Sequence, residues 1–373
     1  MQNDTILVIV VATALAFDYT NGFHDTANAI ATMVSTRAMA PKVAVLYSAL
    51  LNFAGAFISL KVAATIAKDF IDPSVVTPEI VFGGLIGAII WNLATWYFGL
   101  PSSSSHALIG GVIGAVVVAA GTGAVNGDAV VSKLLIPALI APVLAFAVAG
   151  TAILIAYRIV GGLSPGPVTR GYRLGQILSG GLLSLAHGTN DAQKTMGVIT
   201  LALIANGNLA SDASTPTWVI ASAATAMGLG TYSGGWRIIK TMGTRIIKMD
   251  SAQGFAAQGS GATVILAASH FGYPLSTTHV ISGAVMGSGA AKRLSAVRWG
   301  VAGNMVGAWI LTLPAAGAMG GIAYGITRIF GANNAAGPIV VLMLLIAGLG
   351  IGFARRFRRQ QSPPPVVARG AEA

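Results

Sequence analysis

The sequence predicts an all-α polytopic membrane protein of two inverted-topology repeats, each with a broken motif helix and a re-entrant helical hairpin. Three observations carry that expectation. Hydrophobic residues make up 54% of the 373-residue chain and charged residues only 9%, whereas a soluble domain carries about 25% charged residues to face water. Several apolar stretches are long enough to span a bilayer. Finally, two polar motifs recur in the same order in the second half of the chain. A β-barrel would need short alternating segments, and these runs do not alternate.

The apolar runs are roughly 5–36, 43–67, 80–120, 134–157, 174–205, 217–234, 254–291, 299–328 and 338–353. The first follows "MQND", where Asp4 stands in place of the Lys or Arg of a secretory leader. It therefore reads as a first membrane helix and not a cleaved peptide. The net charge of +11 is concentrated between the runs, at Arg37–Lys42, Arg158–Arg173, Arg237–Lys248, Lys292–Arg298 and Arg355–Arg359. Such clusters mark cytoplasmic loops, and their placement argues against nucleic-acid binding. Segments around Asp69–Glu79, Asn126–Asp128, Asn206–Thr217 and "GANNAAG" carry little or no basic excess and read as outside. The expected location is the plasma (inner) membrane, multi-pass, with the N-terminus outside and the C-terminus cytoplasmic. No cysteine is present, so there is no disulfide framework and no Cys-based metal site. The closing "QQSPPPVVARGAEA" reads as a disordered tail.

Two runs break the parity of this topology. Both ends of 80–120 map outside and both ends of 254–291 map to the cytoplasm, so each must enter and return. The turning points are "LPSSSSHALIGG" (100–111) and "YPLSTTHVISGA" (273–284), each with a Pro, a Ser/Thr run and a His. The second return arm, 276–291, spans only about 24 Å as helix, short of the roughly 30 Å hydrocarbon core. Re-entrant hairpins meeting in mid-membrane are the favoured reading; two complete crossings would give the same parity.

The duplication lies in the motifs. "NGFHDTANAIAT" aligns with "AHGTNDAQKTMG": Gly22 with Gly188, His24 with Asn190, Asp25 with Asp191 and Asn28 with Lys194. The tips align Pro101 with Pro274, Ser103 with Ser276 and His106 with His279. The first copy starts outside and the second at the cytoplasm, which is an arrangement typical of secondary transporters. Residues 1–160 form the first repeat and 161–335 the second. Residues 336–373 supply an extra terminal helix and the basic, Pro-rich cytoplasmic tail.

Each motif has a chemistry. The run 5–36 is too long for one straight span, about 48 Å of helix, and Asp18, Asn21 and Gly22 make "DYTNG" its weak point. A carboxylate at membrane depth is expensive unless it holds a cation or proton. Asp25 and Asp191, with Asn21, Asn28 and Asn190, supply hard oxygen ligands suited to Na⁺, H⁺ exchange or a divalent cation. The Ser/Thr tips would start the returning helices, whose free N–H groups and positive dipole ends bind anions. Ser103, Ser104, Ser105, Ser276, Thr277 and Thr278 add hydroxyl donors around a tetrahedral oxyanion. An anion site beside a cation site is the chemistry of symport.

Plainer readings exist for each residue. A Ser/Thr run before a helix is often only a cap, but the matched pair favours anion binding. Asp25 and Asp191 could instead be structural, and Asp18 is either cation-linked or simply at the helix break. His24, His106, His187 and His279 read as neutral hydrogen-bonding groups before proton carriers. Lys194 is assigned to neutralising Asp191, not to touching the anion. Glycine runs such as "GGVIGA" are helix-packing positions.

At these residues the chain resembles the inorganic phosphate transporter (Pit) family. "NGFHDTANAIAT" is similar to the first family signature in its bacterial form and "AHGTNDAQKTMG" to the second, and the likeness covers nearly the whole chain. It implies low-affinity uptake of inorganic phosphate by cation-coupled symport, coupled to H⁺ or Na⁺, in some relatives as a neutral complex with Mg²⁺ or another divalent metal. It implies no resident cofactor, and it implies a homodimer in the bilayer. The large central cytoplasmic insertion of some relatives is missing; only 237–252 is notably basic. One branch of the family carries sulfate, which stands as the alternative substrate. Two rivals from other classes are an intramembrane hydrolase, since Ser, His and Asp all occur at membrane depth, and an anion channel. A hydrolase gives no reason for duplicating its machinery in opposite orientation.

Overall fold

The computed structural model describes residues 4–361 and is almost entirely helical. Helix α1 (Asp4–Ser35) is followed by α2 (Pro41–Gly55), α3 (Lys61–Lys68), α4 (Pro78–Phe98) and α5 (Ser104–Ala120). A single turn, α6 (Gly127–Ala129), runs through a π-helical stretch, Val130–Leu135, into α7 (Ile136–Val160). The second half contains α8 (Pro165–Ala205), α9 (Thr217–Ser233), α10 (Trp236–Lys240), α11 (Ser251–His270), α12 (Thr277–Ala290) and α13 (Trp299–Ile329). Helix α14 (Ala336–Gln361) ends the described residues and includes Arg355–Arg359. The expected disordered tail falls almost wholly on 362–373, outside the described residues. Among the described residues, four helical stretches are long and apolar enough to cross a membrane: α1, α4, Gly127–Val160 and α13.

The two motif helices are not broken. Helix α1 continues unbroken through "DYTNG", and α8 runs for 41 residues through "HGTND". The expectation fails for a physical reason. Asp and Asn unwind a helix when their side chains compete for their own backbone, but here the buried side-chain oxygens of Asp18 and Asn21 make no hydrogen bond to the α1 backbone. Gly22 is a contact point: a Cβ there would lie 2.6 Å from Met227 O on α9. A different run does divide. The stretch 43–67 becomes α2 and α3, separated by a turn at 56–60, and Lys61 Nζ at the start of α3 donates to His270 O at 2.9 Å.

Each hairpin tip is opened by a glycine in the left-handed region, Gly99 (φ +67°) and Gly272 (φ +79°), where a side chain would be strained. The Ser103 hydroxyl then accepts from His106 N–H at 3.1 Å and starts α5. Ser276 does the same for His279 N–H at 3.2 Å and starts α12. These are ordinary N-caps.

Packing of the two halves is exchanged. Helix α1 packs on α9 while α8 packs on α2, and α5 packs on α13 while α12 packs on α7. Glycines permit the matching close approaches. A Cβ at Gly55 would lie 2.2 Å from Leu185 O, and one at Gly230 would lie 2.2 Å from Tyr19 O. Gly110 meets Leu313 O and Gly283 meets Pro142 O in the same way, at 2.6 and 2.2 Å.

Loop contacts define two ends. At one, Asp72 N–H donates to Ala124 O, Lys133 pairs with Asp69 at 2.6 Å, and Asn333 N–H donates to Glu79 Oε1. At the other, Tyr157 donates to Asp250, Gln253 to Ser288 O, and Arg298 N–H to Ile246 O. Helix α7 leads from the first end to the second, about 37 Å for its 25 residues. The base of the α4–α5 hairpin lies at the first end and that of α11–α12 at the second.

Candidate functional site

The polar middles of α1 and α8 meet the two hairpin tips in the protein interior. On α1, His24 Nδ1 lies 2.9 Å from Asp25 Oδ1, and its Nε2 lies 3.0 Å from Thr95 Oγ1 on α4. In the tautomer protonated at Nδ1, His24 donates to the carboxylate and accepts from the threonine. Three residues on, Asn28 Nδ2 donates to Thr278 Oγ1 at 2.9 Å, and Thr278 donates to Asp25 Oδ1 at 3.1 Å.

On α8, Lys194 Nζ donates to Asp191 Oδ1 and Ser105 Oγ, both at 2.5 Å, and to Leu275 O at 2.9 Å. Ser105 itself donates to Leu275 O at 3.1 Å, so the two tips touch. Thr277 donates to Asp191 Oδ2 at 3.3 Å. His187 Nε2 lies 3.2 Å from the same oxygen without hydrogen-bond alignment, and its Nδ1 faces Asn52 Oδ1 at 3.1 Å. One ligand atom each from Asp25, His187 and Asp191 fall within 4.8 Å of one another. Asp25, Asp191 and Lys194 are all buried. Burying like charges this closely is costly unless cations compensate them.

The structure therefore gathers Asp25, Asn28, His187, Asp191, Lys194, Ser105, Thr277 and Thr278, with His24 supporting Asp25. Ser104 begins α5 with a buried hydroxyl that has no protein partner. Ser103 and Ser276 are occupied as caps. The Asn190 amide nitrogen donates to Ser269 Oγ at 2.8 Å and Tyr273 O at 3.2 Å, and its buried side-chain oxygen has no hydrogen-bond partner. Asn21 is buried with an unpartnered side-chain oxygen and joins none of these bonds. His106 and His279 form a separate ring cluster 4.9 Å apart, with His279 stacked on Trp309 at 4.1 Å. Asp18 is buried beside Thr195, close enough to Asp191 and Lys194 to feel their charge.

A model of the phosphate transporter family matches residues 21–164 and 163–320. The chain belongs to the phosphate transporter family. Among its relatives is a probable low-affinity inorganic phosphate transporter of Mycobacterium bovis, 55% identical over 327 residues, covering 87% of this chain and 78% of the relative. One of Rhizobium meliloti, described in the same words, is 46% identical over 320 residues, covering 86% and 96%. A solved structure described as the sodium-dependent phosphate transporter superposes with TM-score 0.76 at 25% identity, over 87% of this chain and 99% of that one. With its several long apolar helices, this family member is a multi-pass membrane protein.

Some of this member's site residues lie outside the quoted motifs. Thr95, which holds His24, sits four residues before the Gly99 turn, and Ser102 Oγ donates to it at 2.9 Å. Gln193 Oε1 accepts from the N–H groups of Val62 and Ala63 at 2.9 and 3.2 Å, fixing α3 against α8. The Leu275 carbonyl leaves no signature in sequence. Gln193 lies inside the second motif, where an internal amide is an available signal.

Proposed function

We propose that the protein takes up inorganic phosphate by symport, with the cation held between Asp25 and Asp191 and the anion at the facing tips of α5 and α12. The observation that carries this reading is the convergence of Asp25, His187 and Asp191 within 4.8 Å, directly against Thr277 and Thr278. The arrangement also suggests how the two cargoes are linked. The tip hydroxyls donate to the carboxylates, which makes the tip a poor place for an anion. A cation that takes those carboxylate oxygens competes with the hydroxyl bonds. The hydroxyls, with the helix N–H groups, are then released to donate to phosphate. Each cargo thereby raises the affinity for the other.

The exchanged packing, the twin Gly99 and Gly272 turns and the two hairpin bases at separate ends support inverted repeats, 1–160 and 161–335, with re-entrant hairpins. Return arms α5 and α12 have 17 and 14 residues, about 25 and 21 Å, shorter than the roughly 30 Å hydrocarbon core. The basic segments Arg237–Lys248 and Lys292–Arg298 share one end, which supports a cytoplasmic assignment there and an outside N-terminus in the plasma membrane. None of the relatives reported above is named for sulfate, and phosphate is the substrate proposed. A homodimer is carried forward from the family resemblance.

Radiolabelled phosphate uptake into proteoliposomes tests the reading, with Na⁺, pH and Mg²⁺ varied separately and sulfate as competitor. Uptake stimulated by an inward Na⁺ or H⁺ gradient, and spared by sulfate, is the expected result. A requirement for Mg²⁺ would identify a neutral metal–phosphate complex as the form carried. Phosphate flux indifferent to every cation would point to a channel and overturn the symport.

A further inference from the structure

The two halves present matching sets of oxygens, and one of the sets already contains a positive charge. Aligning the motifs places Asp25 opposite Asp191 and Asn28 opposite Lys194, and the tips place Thr278 opposite Ser105. In the first half a neutral amide, Asn28, bonds the tip hydroxyl of Thr278 beside Asp25. In the second half the Lys194 ammonium bonds the tip hydroxyl of Ser105 beside Asp191. Its three donors are taken by a carboxylate, a hydroxyl and the Leu275 carbonyl, the ligand types of an alkali cation. The residue is 1% exposed, so the charge is held in place, not shared with solvent.

We infer that Lys194 is a tethered substitute for one coupling cation, so that the second half of the site is permanently filled and only the first takes a mobile ion. This rests on the symport reading and deepens it. With Asp191 neutralised by a fixed charge, Asp25 is left as the carboxylate for the travelling cation, with His187 and the second oxygen of Asp191 within reach. The symmetry of fixed charge is broken at the Asn28–Lys194 pair, and with it the number of ions carried. Restoring the symmetry should restore the second ion.

The test is Lys194→Asn, which copies the first half, in proteoliposomes with phosphate uptake measured against Na⁺ at fixed pH. In choline the variant should keep no more than about a tenth of the uptake it reaches in saturating Na⁺. Its dependence on Na⁺ should be steeper than that of wild type by one further bound ion. Solid-supported-membrane currents should show about one additional positive charge moved per phosphate. A variant too impaired to transport still reports by its melting temperature in detergent, where Na⁺ but not choline should stabilise Lys194→Asn more than wild type. Equal Na⁺ dependence, equal charge per phosphate and equal Na⁺ stabilisation in the two proteins would overturn the inference while leaving wild-type symport intact. Failure of the wild type to couple phosphate to any cation would instead sink the underlying reading.

Discussion

The Thr278 hydroxyl donates to Asp25 Oδ1 at 3.1 Å, joining the first helix to the tip of a hairpin 253 residues later. This contact makes the proposed cation carboxylate and the proposed anion tip mechanically one unit. Asp25→Asn keeps the size of the side chain and removes its charge. Uptake should fall by at least about 100-fold, some 2.7 kcal/mol on the transport step, while the protein reaches the membrane in normal amount. Normal uptake would remove Asp25 from the cation site.

The tips should separate anion binding from cation binding. Ser104→Ala and Thr277→Ala each remove one hydroxyl that is proposed to donate to phosphate. A lost hydrogen bond to a charged group costs about 1.5–3 kcal/mol, so half-saturating phosphate should rise by about tenfold or more. Half-saturating cation should move far less. Uptake kinetics with each cargo varied in turn read both numbers.

Capping serines should behave differently. Ser103→Ala and Ser276→Ala remove N-caps seen at 3.1 and 3.2 Å, typically costing about 1 kcal/mol. The effect should appear as a lower melting temperature in detergent, with phosphate affinity changed less than in Ser104→Ala.

Close helix packing yields a steric prediction. At Gly188 a Cβ would lie 2.1 Å from Asn52 O, whereas at Gly348 nothing lies within 4 Å. Gly188→Ala should destabilise by about 1–3 kcal/mol through forced backbone movement. Gly348→Ala should be neutral or stabilising by up to about 1 kcal/mol, because alanine favours the helix. Thermal unfolding of the two variants side by side gives the comparison.

Gln193 gives a prediction that depends on neither cargo. Gln193→Leu would leave the Val62 and Ala63 N–H groups without their shared acceptor. An unsatisfied buried donor costs about 1–3 kcal/mol, so the variant should unfold earlier and α3 should exchange its amide hydrogens faster. Mass-spectrometric hydrogen exchange over 61–68 checks it.

Much of the site was legible because duplicated polar residues in an apolar chain have few explanations. Asp25, Asp191, Asn28 and the Ser/Thr tips stand out in sequence, and they do meet. Lys194 was read as the partner of Asp191, and the pair is 2.5 Å apart. The broken helices were misread because local propensity treats Asp18 and Asn21 as breakers, whereas packing around α1 keeps the helix intact. Asn190, expected among the cation ligands, commits its amide nitrogen to Ser269 and Tyr273 and keeps its buried oxygen unpartnered, a division set by its rotamer and not by its place in the sequence. Thr95 and the Leu275 carbonyl could not be singled out, because a threonine or a backbone group becomes special only through its neighbours.

Equilibrium binding of radiolabelled phosphate to the purified protein, as a function of coupling cation, tests the central claim most directly. If carboxylates and tips share one site, saturating cation should tighten phosphate binding by about tenfold or more, roughly 1.4 kcal/mol of coupling, and Asp25→Asn should abolish the effect. Phosphate affinity that is the same with and without cation, in wild type and Asp25→Asn alike, would contradict the account.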